Sequence, residues 1–142
     1  MRCGDAWFAG YHIRSDILSH EKLADIIGQE VLSLELTNEW FYHLDTCFCP
    51  LGNGAALYYP PAFDEYARTV LENHISQLIP VSDDEAARFA CNAIVVGDSI
   101  VLNVGCPKVR GQIESLGFTV FETPLSEFLK AGGAKCLVLI IG

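Results

Sequence analysis

Apolar and polar residues follow one order that recurs three times along the chain: two strands, a helix and a returning strand. The copy nearest the C-terminus is the clearest. In NAIVVGDSIVLNVG, residues 92–105, alternating β-branched residues flank a Gly-Asp turn, which predicts a β-hairpin. The next stretch, PKVRGQIESLG, predicts a helix because Val109, Ile113 and Leu116 fall on one helical face. FTVFETPL then predicts the returning strand.

The same order occurs twice upstream. DTCFCPLGNGAALYY predicts two strands around a Gly-Asn-Gly turn, PAFDEYARTVLENHI a helix, and SQLIPVS a strand. AWFAGYHI, SHEKLADIIG and EVLSLEL repeat the order, although the first hairpin is short. A ββαβ unit of this kind covers its sheet only by packing against neighbouring units. We therefore predict a single α/β domain over residues 1–142, with units at approximately 4–36, 41–82 and 87–142.

Composition narrows the possible classes of function. With 142 residues, the chain has the length of one domain. A formal net charge of −9 disfavours nucleic-acid binding, which relies on clustered Lys and Arg. The sequence has no apolar run of roughly 18 residues for a membrane span and no signal-peptide pattern. We therefore expect a cytoplasmic protein whose six cysteines are reduced.

The first candidate chemical group is the His43-Leu44-Asp45 segment. If this segment is a strand, His43 and Asp45 point to one face and Leu44 to the other. Such a pair can hold a proton-transferring imidazole beside a carboxylate. The same spacing is more often that of a polar pair at a strand end, so spacing alone favours the structural interpretation over the catalytic one.

The second candidate is Cys136, which follows Gly132 and Gly133. Paired glycines allow a backbone to approach a substrate closely, and a cation such as Lys135 favours the thiolate. These features suit a nucleophile. They also suit a loop that enters a buried terminal strand, CLVLIIG, with an inert cysteine at its start, and the local sequence alone favours this second interpretation.

The remaining polar groups give weaker signals. Cys47-x-Cys49 near His43 suggests zinc, but structural zinc sites have wider Cys spacing and a second ligand pair, and two cysteines in an alternating strand simply share a buried face. We therefore expect no metal. The other histidines, at positions 12, 20 and 74, read as surface or core residues, and the acidic run at 83–85 as a solvated turn or helix start.

Four segments change this picture because they resemble a known family. FYHLDTCFCPL, AARFACNAIVVG and LSEFLKAGGAKCLVL resemble the C-terminal signature blocks of the guanidino-group-modifying superfamily, and GDAWFAGYHIRSD resembles the preceding block. This superfamily includes arginine deiminases, amidinotransferases and dimethylarginine dimethylaminohydrolases. The resemblance implies the pentein, or α/β-propeller, fold, of whose usual five ββαβ units about three are present here.

The resemblance also implies roles for individual residues. Cys136 would be the nucleophile, His43 the general acid and base, and Asp45 a carboxylate that binds the guanidinium. Arg14 would bind the substrate carboxylate. The implied activity is cysteine-dependent hydrolysis of an arginine-like or methylarginine substrate through a covalent thiouronium, without a cofactor. The alternatives are an amidinotransferase, an inactive remnant that binds a guanidino ligand or a partner subunit, and a purely structural α/β domain.

Two departures from the family pattern affect these expectations. No acidic residue precedes Gly4-Asp5, where the family normally has a Glu, and the resemblance covers only the family's later blocks, without the leading half that normally carries another catalytic carboxylate. We therefore expect a fragment or truncated member. Three units would leave open sheet edges, which favours a homo-oligomer or pairing with a missing N-terminal half.

Overall fold

The computed structural model describes residues 1–130, so Cys136 and the glycines before it lie outside the described residues. The first sheet contains β1 (Arg2–Cys3), β2 (Ala6–Tyr11) and β3 (Val31–Glu35), and α1 (Leu18–Ile27) connects β2 to β3. β1 is antiparallel to β2, and β3 is parallel to it. Neighbouring parallel strands are usually connected by a helix, because a tight turn between two strands makes them antiparallel.

The second sheet repeats this topology. The second unit consists of α2 (Leu44–Cys47), β4 (Phe48–Pro50), β5 (Ala55–Tyr58), a 3₁₀ turn (Pro60–Ala62), α3 (Glu65–His74) and β6 (Gln77–Pro80), and its three strands form the sheet. β4 is antiparallel and β6 parallel to β5. Asp64 caps α3 by accepting a hydrogen bond from the Ala67 amide at 2.8 Å. The predicted helix is confirmed from Glu65 onward, while Phe63 precedes it.

The third sheet has the same topology again. The third unit consists of α4 (Asp83–Ala86), β7 (Ile94–Val96), β8 (Ser99–Asn103), α5 (Pro107–Ser115), β9 (Thr119–Thr123) and α6 (Ser126–Leu129), and its three strands form the sheet. β7 and β8 form the predicted antiparallel hairpin, whose turn places Gly97 at a φ of 55°. Val109 and Ile113 are buried on one face of α5, as their spacing predicts. The fold is therefore α/β with three small mixed sheets.

Long-range hydrogen bonds lie near the starts of α3 and α5, the first between two units and the second within the third unit. The Thr37 amide after β3 donates to the Ala62 carbonyl just before α3, at 2.9 Å. Glu85 accepts from the amides of Lys108 and Val109 at 2.8 and 3.0 Å, and so caps α5. Glu85 is buried with 4% exposure, so the expectation of a solvated acidic run is wrong at this residue. Two donors at an anion-favouring helix N-terminus explain its burial.

All three sheets share one hydrophobic core. Phe8 of β2 and Phe48 of β4 meet edge to face, with ring centroids 5.5 Å apart, and both are fully buried. Leu57 of β5 and Leu102 of β8 belong to the same buried cluster. Within residues 1–130, every helix is too short or too polar to cross a lipid bilayer.

Candidate functional site

His43 immediately precedes a one-turn helix and Asp45 lies in it, so the strand predicted from Asp45 onward is wrong before Phe48, and the strand condition for the His43-Asp45 pair is not met. His43 has extended backbone angles, φ −119° and ψ 137°, and α2 begins at the next residue. The physical cause is local. The hydroxyl and the amide of Thr46 both donate to the His43 carbonyl, at 2.6 and 3.0 Å, and this turn competes with a strand ladder.

The two residues nevertheless line one cavity. Its volume is about 360 Å³, and its walls include Tyr42, His43 and Asp45 together with Ser15 and Gly10. The His43 side chain is exposed and that of Asp45 is half-buried. An imidazole in contact with solvent and a carboxylate in a cavity wall are suited to proton transfer and to binding a cation.

Gly10 of β2 brings the first sheet against this segment. A Cβ atom at Gly10 would lie 3.2 Å from Leu44 Cβ and 3.0 Å from Leu36 Cδ1. Both distances are shorter than ordinary carbon contacts of about 3.5–4.0 Å. The absence of a side chain at Gly10 therefore allows α2 to pack directly on β2.

Asn92, just before β7, holds Asp45 from the third unit. Its Nδ2 donates to the Asp45 carbonyl at 2.8 Å and to Asp45 Oδ2 at 3.1 Å. Asn92 is buried, with 4% exposure. The sequence interpretation missed this residue, although a polar amide between Cys91 and Ala93 in an apolar stretch was the available signal.

Arg14 contacts the segment that carries His43 and Asp45 by stacking on the ring of Tyr42. Its Cζ lies 4.9 Å from the centroid of the Tyr42 ring, within cation–π range. The Tyr42 ring in turn lies 4.7 Å from the His43 imidazole, centroid to centroid. The structure thus brings three of the four predicted site residues, Arg14, His43 and Asp45, to one region, and the fourth, Cys136, lies outside the described residues.

The other histidines have structural partners. His20 is buried, with Nδ1 2.7 Å from Ser33 Oγ, and burial lowers the pKa of its imidazole. His12 lies 3.3 Å from a carboxylate oxygen of Glu35. Nδ1 of His74 is 2.7 Å from the Val70 carbonyl, within its own helix. The interpretation of these histidines as surface or core residues is consistent with these contacts.

The described cysteines are buried. Cys47 ends α2 and only Cys49 lies in β4, so the prediction that they alternate along one strand is wrong. Burial, and secondarily the Asp45 charge, raises the pKa of the Cys47 thiol, and burial likewise raises that of Cys3. Burial raises the pKa of Cys106 to about 11. Within residues 1–130, no three His, Cys, Asp or Glu side chains are arranged to hold a metal ion.

Comparison with known proteins gives the family. No family model matches the chain. The bifunctional arginine dihydrolase/ornithine cyclodeaminase ArgZ of Synechocystis is 50% identical over 96% of the chain, which covers 21% of ArgZ. The dimethylarginine dimethylaminohydrolase of Mycobacterium tuberculosis is 38% identical over 99% of the chain, which covers 47% of that enzyme.

A solved structure agrees with these relatives. The crystal structure of a variant N-terminal domain of ArgZ, covalently bound to a reaction intermediate, superposes with a TM-score of 0.89 at 51% identity. The match covers 92% of this chain and 50% of that domain. Homology to arginine dihydrolases and dimethylarginine dimethylaminohydrolases therefore runs along almost the whole chain. The chain belongs to the guanidino-group-modifying superfamily.

Proposed function

We propose that this chain is part of a cysteine-dependent amidinohydrolase that acts on arginine or a methylarginine through a covalent thiouronium. The observation that carries the proposal is the meeting of His43 and Asp45 in the wall of one cavity, with Arg14 beside it. The fold that holds them matches a domain solved with a covalently bound reaction intermediate. The proposed architecture is a pentein-type α/β-propeller, of which the three ββαβ units of residues 1–142 form one partial domain.

In the proposed reaction, Cys136 Sγ forms a bond to the central guanidinium carbon. The bond from that carbon to one terminal nitrogen then breaks, and His43 gives its proton to the departing ammonia or amine. Water next attacks the thiouronium carbon while His43 accepts a proton from it. The carbon–sulfur bond breaks, and the products are the Cys136 thiolate and a ureido compound.

Charge complementarity supports an arginine-like substrate. Asp45 would accept a hydrogen bond from a guanidinium nitrogen, which is a charge-assisted contact. Arg14 would bind the substrate carboxylate, and a planar guanidinium suits bidentate contact with it. The net charge of −9 attracts a cation toward the protein as a whole.

The length of the chain supports a second candidate. The chain spans about half of the Mycobacterium enzyme and half of the ArgZ domain. A protein with Cys136, His43 and Asp45 but without the remaining contacts would bind a guanidino ligand without turning it over. In either case we propose that the chain self-associates or pairs with a segment that supplies the rest of the domain. Transfer to an acceptor amine instead of water is the third possibility.

Chemical labelling of the cysteines tests the premise that these candidates share, namely that Cys136 is an activated nucleophile. The purified chain is treated with chloroacetamidine, a thiol-directed amidine, and the modified residues are identified by mass spectrometry. We expect Cys136 to react first, arginine to slow its modification, and Cys136→Ser to abolish the fast phase. Cys106→Ser is the matched control and should leave the fast phase unchanged. Equal modification of all six cysteines would refute an activated nucleophile.

Turnover separates the candidates. Ammonia release from arginine and dimethylamine release from dimethylarginine distinguish the two hydrolytic substrates. With hydrolysis established, His43→Gln should lower the rate by about 10²–10⁴-fold, since that is the usual contribution of a general acid and base. A chain that is labelled selectively at Cys136 but consumes neither substrate, with or without an added acceptor amine, is the binding remnant, whereas consumption only with the acceptor identifies a transferase.

A further inference from the structure

We infer that Asn92 is a positioning residue that orients the Asp45 carboxylate toward the guanidinium of the substrate, an inference that rests on the function proposed above. Asn92 and Asp45 are 47 residues apart and belong to different units. One amide nitrogen of Asn92 contacts Asp45 twice, at the carbonyl oxygen and at Oδ2. The pair of contacts fixes both the place of the backbone and the rotation of the carboxylate.

The two contacts have different consequences. α2 has only four residues, so the carbonyls of its single turn have few partners within the helix. The 2.8 Å bond to the Asp45 carbonyl meets this need, and a structural role would account for it. The 3.1 Å bond to Oδ2 does not serve the backbone. It restrains a side chain that would otherwise rotate in the cavity wall.

The restraint leaves a defined oxygen for the ligand. Oδ2 of Asp45 accepts from Asn92, whereas Oδ1 accepts no hydrogen bond from any residue in the described part of the chain. Asp45 is half-buried and lines the cavity. A guanidinium N–H in the cavity would therefore bond to Oδ1. Because Asn92 is 4% exposed, water competes weakly for its amide, and the bond to Oδ2 is stronger than a surface contact.

A double-mutant cycle on arginine binding tests this coupling. All proteins carry Cys136→Ser to prevent turnover, and L-arginine affinity is measured by isothermal titration calorimetry on the full chain. We expect Asn92→Ala to weaken binding about tenfold, the low end for a hydrogen bond to a charged group. Asp45→Ala should weaken it at least as much. The double variant should bind no more weakly than Asp45→Ala, because Asn92 acts through Asp45.

Asn103 provides the matched control for lost stability. It is also buried with 4% exposure, donates to the Arg88 carbonyl at 2.9 Å and accepts from the Leu125 amide at 3.1 Å. Asn103→Ala should lower the melting temperature as Asn92→Ala does, and it should leave arginine affinity unchanged. If Asn92→Ala does not fold, the Asn92 side-chain amide signals in the ¹⁵N spectrum of the Cys136→Ser protein replace it, and they should shift on arginine binding.

The outcomes separate this inference from the proposed function. If Asp45→Ala weakens binding but Asn92→Ala does not, or if the two losses add, Asn92 does not position Asp45. Asn92 amide signals that stay unmoved at saturating arginine lead to the same conclusion. If Asp45→Ala leaves affinity unchanged, or the Cys136→Ser chain binds no arginine, the proposed function itself fails.

Discussion

Replacing Gly10 with alanine places one methyl group between β2 and the segment that carries His43 and Asp45. The new Cβ would lie 3.0 Å from Leu36 Cδ1 and 3.2 Å from Leu44 Cβ. Leu36 and Leu44 differ in how easily the contacting atom can move away. A terminal methyl of Leu36 can rotate, although this side chain is only 2% exposed. The Cβ of Leu44 is fixed to the backbone of α2 and moves only if the helix moves.

The expected cost follows from these distances. Inserting a methyl group into a packed interior typically destabilises a protein by about 1–3 kcal/mol. For a domain of this size, this corresponds to a fall in melting temperature on the order of 3–10 °C. Rotation of Leu36 alone would give the low end of the range, and a shift of α2 the high end. A shift of α2 would also displace His43 and Asp45 and weaken arginine binding.

Urea unfolding measures the change in the free energy of unfolding, and calorimetric titration with arginine measures its effect on the cavity. Gly111→Ala is the matched control, since Gly111 lies within α5 and a Cβ there meets nothing within 4 Å. Alanine in place of glycine inside a helix should stabilise the protein by about 0.5–1 kcal/mol. A Gly10→Ala protein as stable as the wild type, with unchanged arginine affinity, would refute the close packing of β2 and α2.

Three further predictions concern other contacts. Glu85→Ala should lower the free energy of unfolding by about 1–3 kcal/mol in urea titrations, because it leaves two amides of α5 without their acceptor, whereas exposed Glu127→Ala should change it little. The Cys106 thiol has a pKa of about 11, against an ordinary 9.0, so its contribution to stability is complete below pH 9 and is lost as the pH rises toward 11. The urea midpoint of Cys106→Ala should therefore fall less steeply over this range than that of the wild type, and equal slopes would contradict the shift. Tyr42→Phe should keep arginine affinity, since Arg14 still meets a ring face, while Tyr42→Leu should weaken it about two- to fivefold in calorimetric titration, and equal affinities would exclude a role for the stack.

The sequence predicted the elements that carry strong periodicity. The hairpin at residues 94–103 and α5 have clear strand and helix patterns, and the structure has both. The strand predicted from Asp45 begins only at Phe48, because the hydroxyl and the amide of Thr46 bind the His43 carbonyl and close a helical turn. Competition between a side chain and a strand ladder leaves no trace in a pattern of apolar and polar positions.

Contacts between residues far apart in the chain could not be predicted from the sequence for another reason. Glu85 is buried because it accepts hydrogen bonds from amides that lie 23 and 24 residues further along the chain. Asn92 likewise donates to Asp45, 47 residues earlier in the sequence. Local spacing gave no information on either pair. His43 and Asp45 were identified mainly through the resemblance to a family, and the role of Cys136 stays a prediction from that resemblance.

The Asp45 helix contacts Gly10 of the first unit and Asn92 of the third, so a ligand bound to Asp45 in this cavity would depend on contacts from all three units. Partial opening of any one unit would release the ligand. Bound arginine should therefore slow amide hydrogen exchange in all three sheets together, including strands that lie far from the ligand. A substitution that loosens either contact in the first or third unit should therefore also disturb the second unit, which carries Asp45.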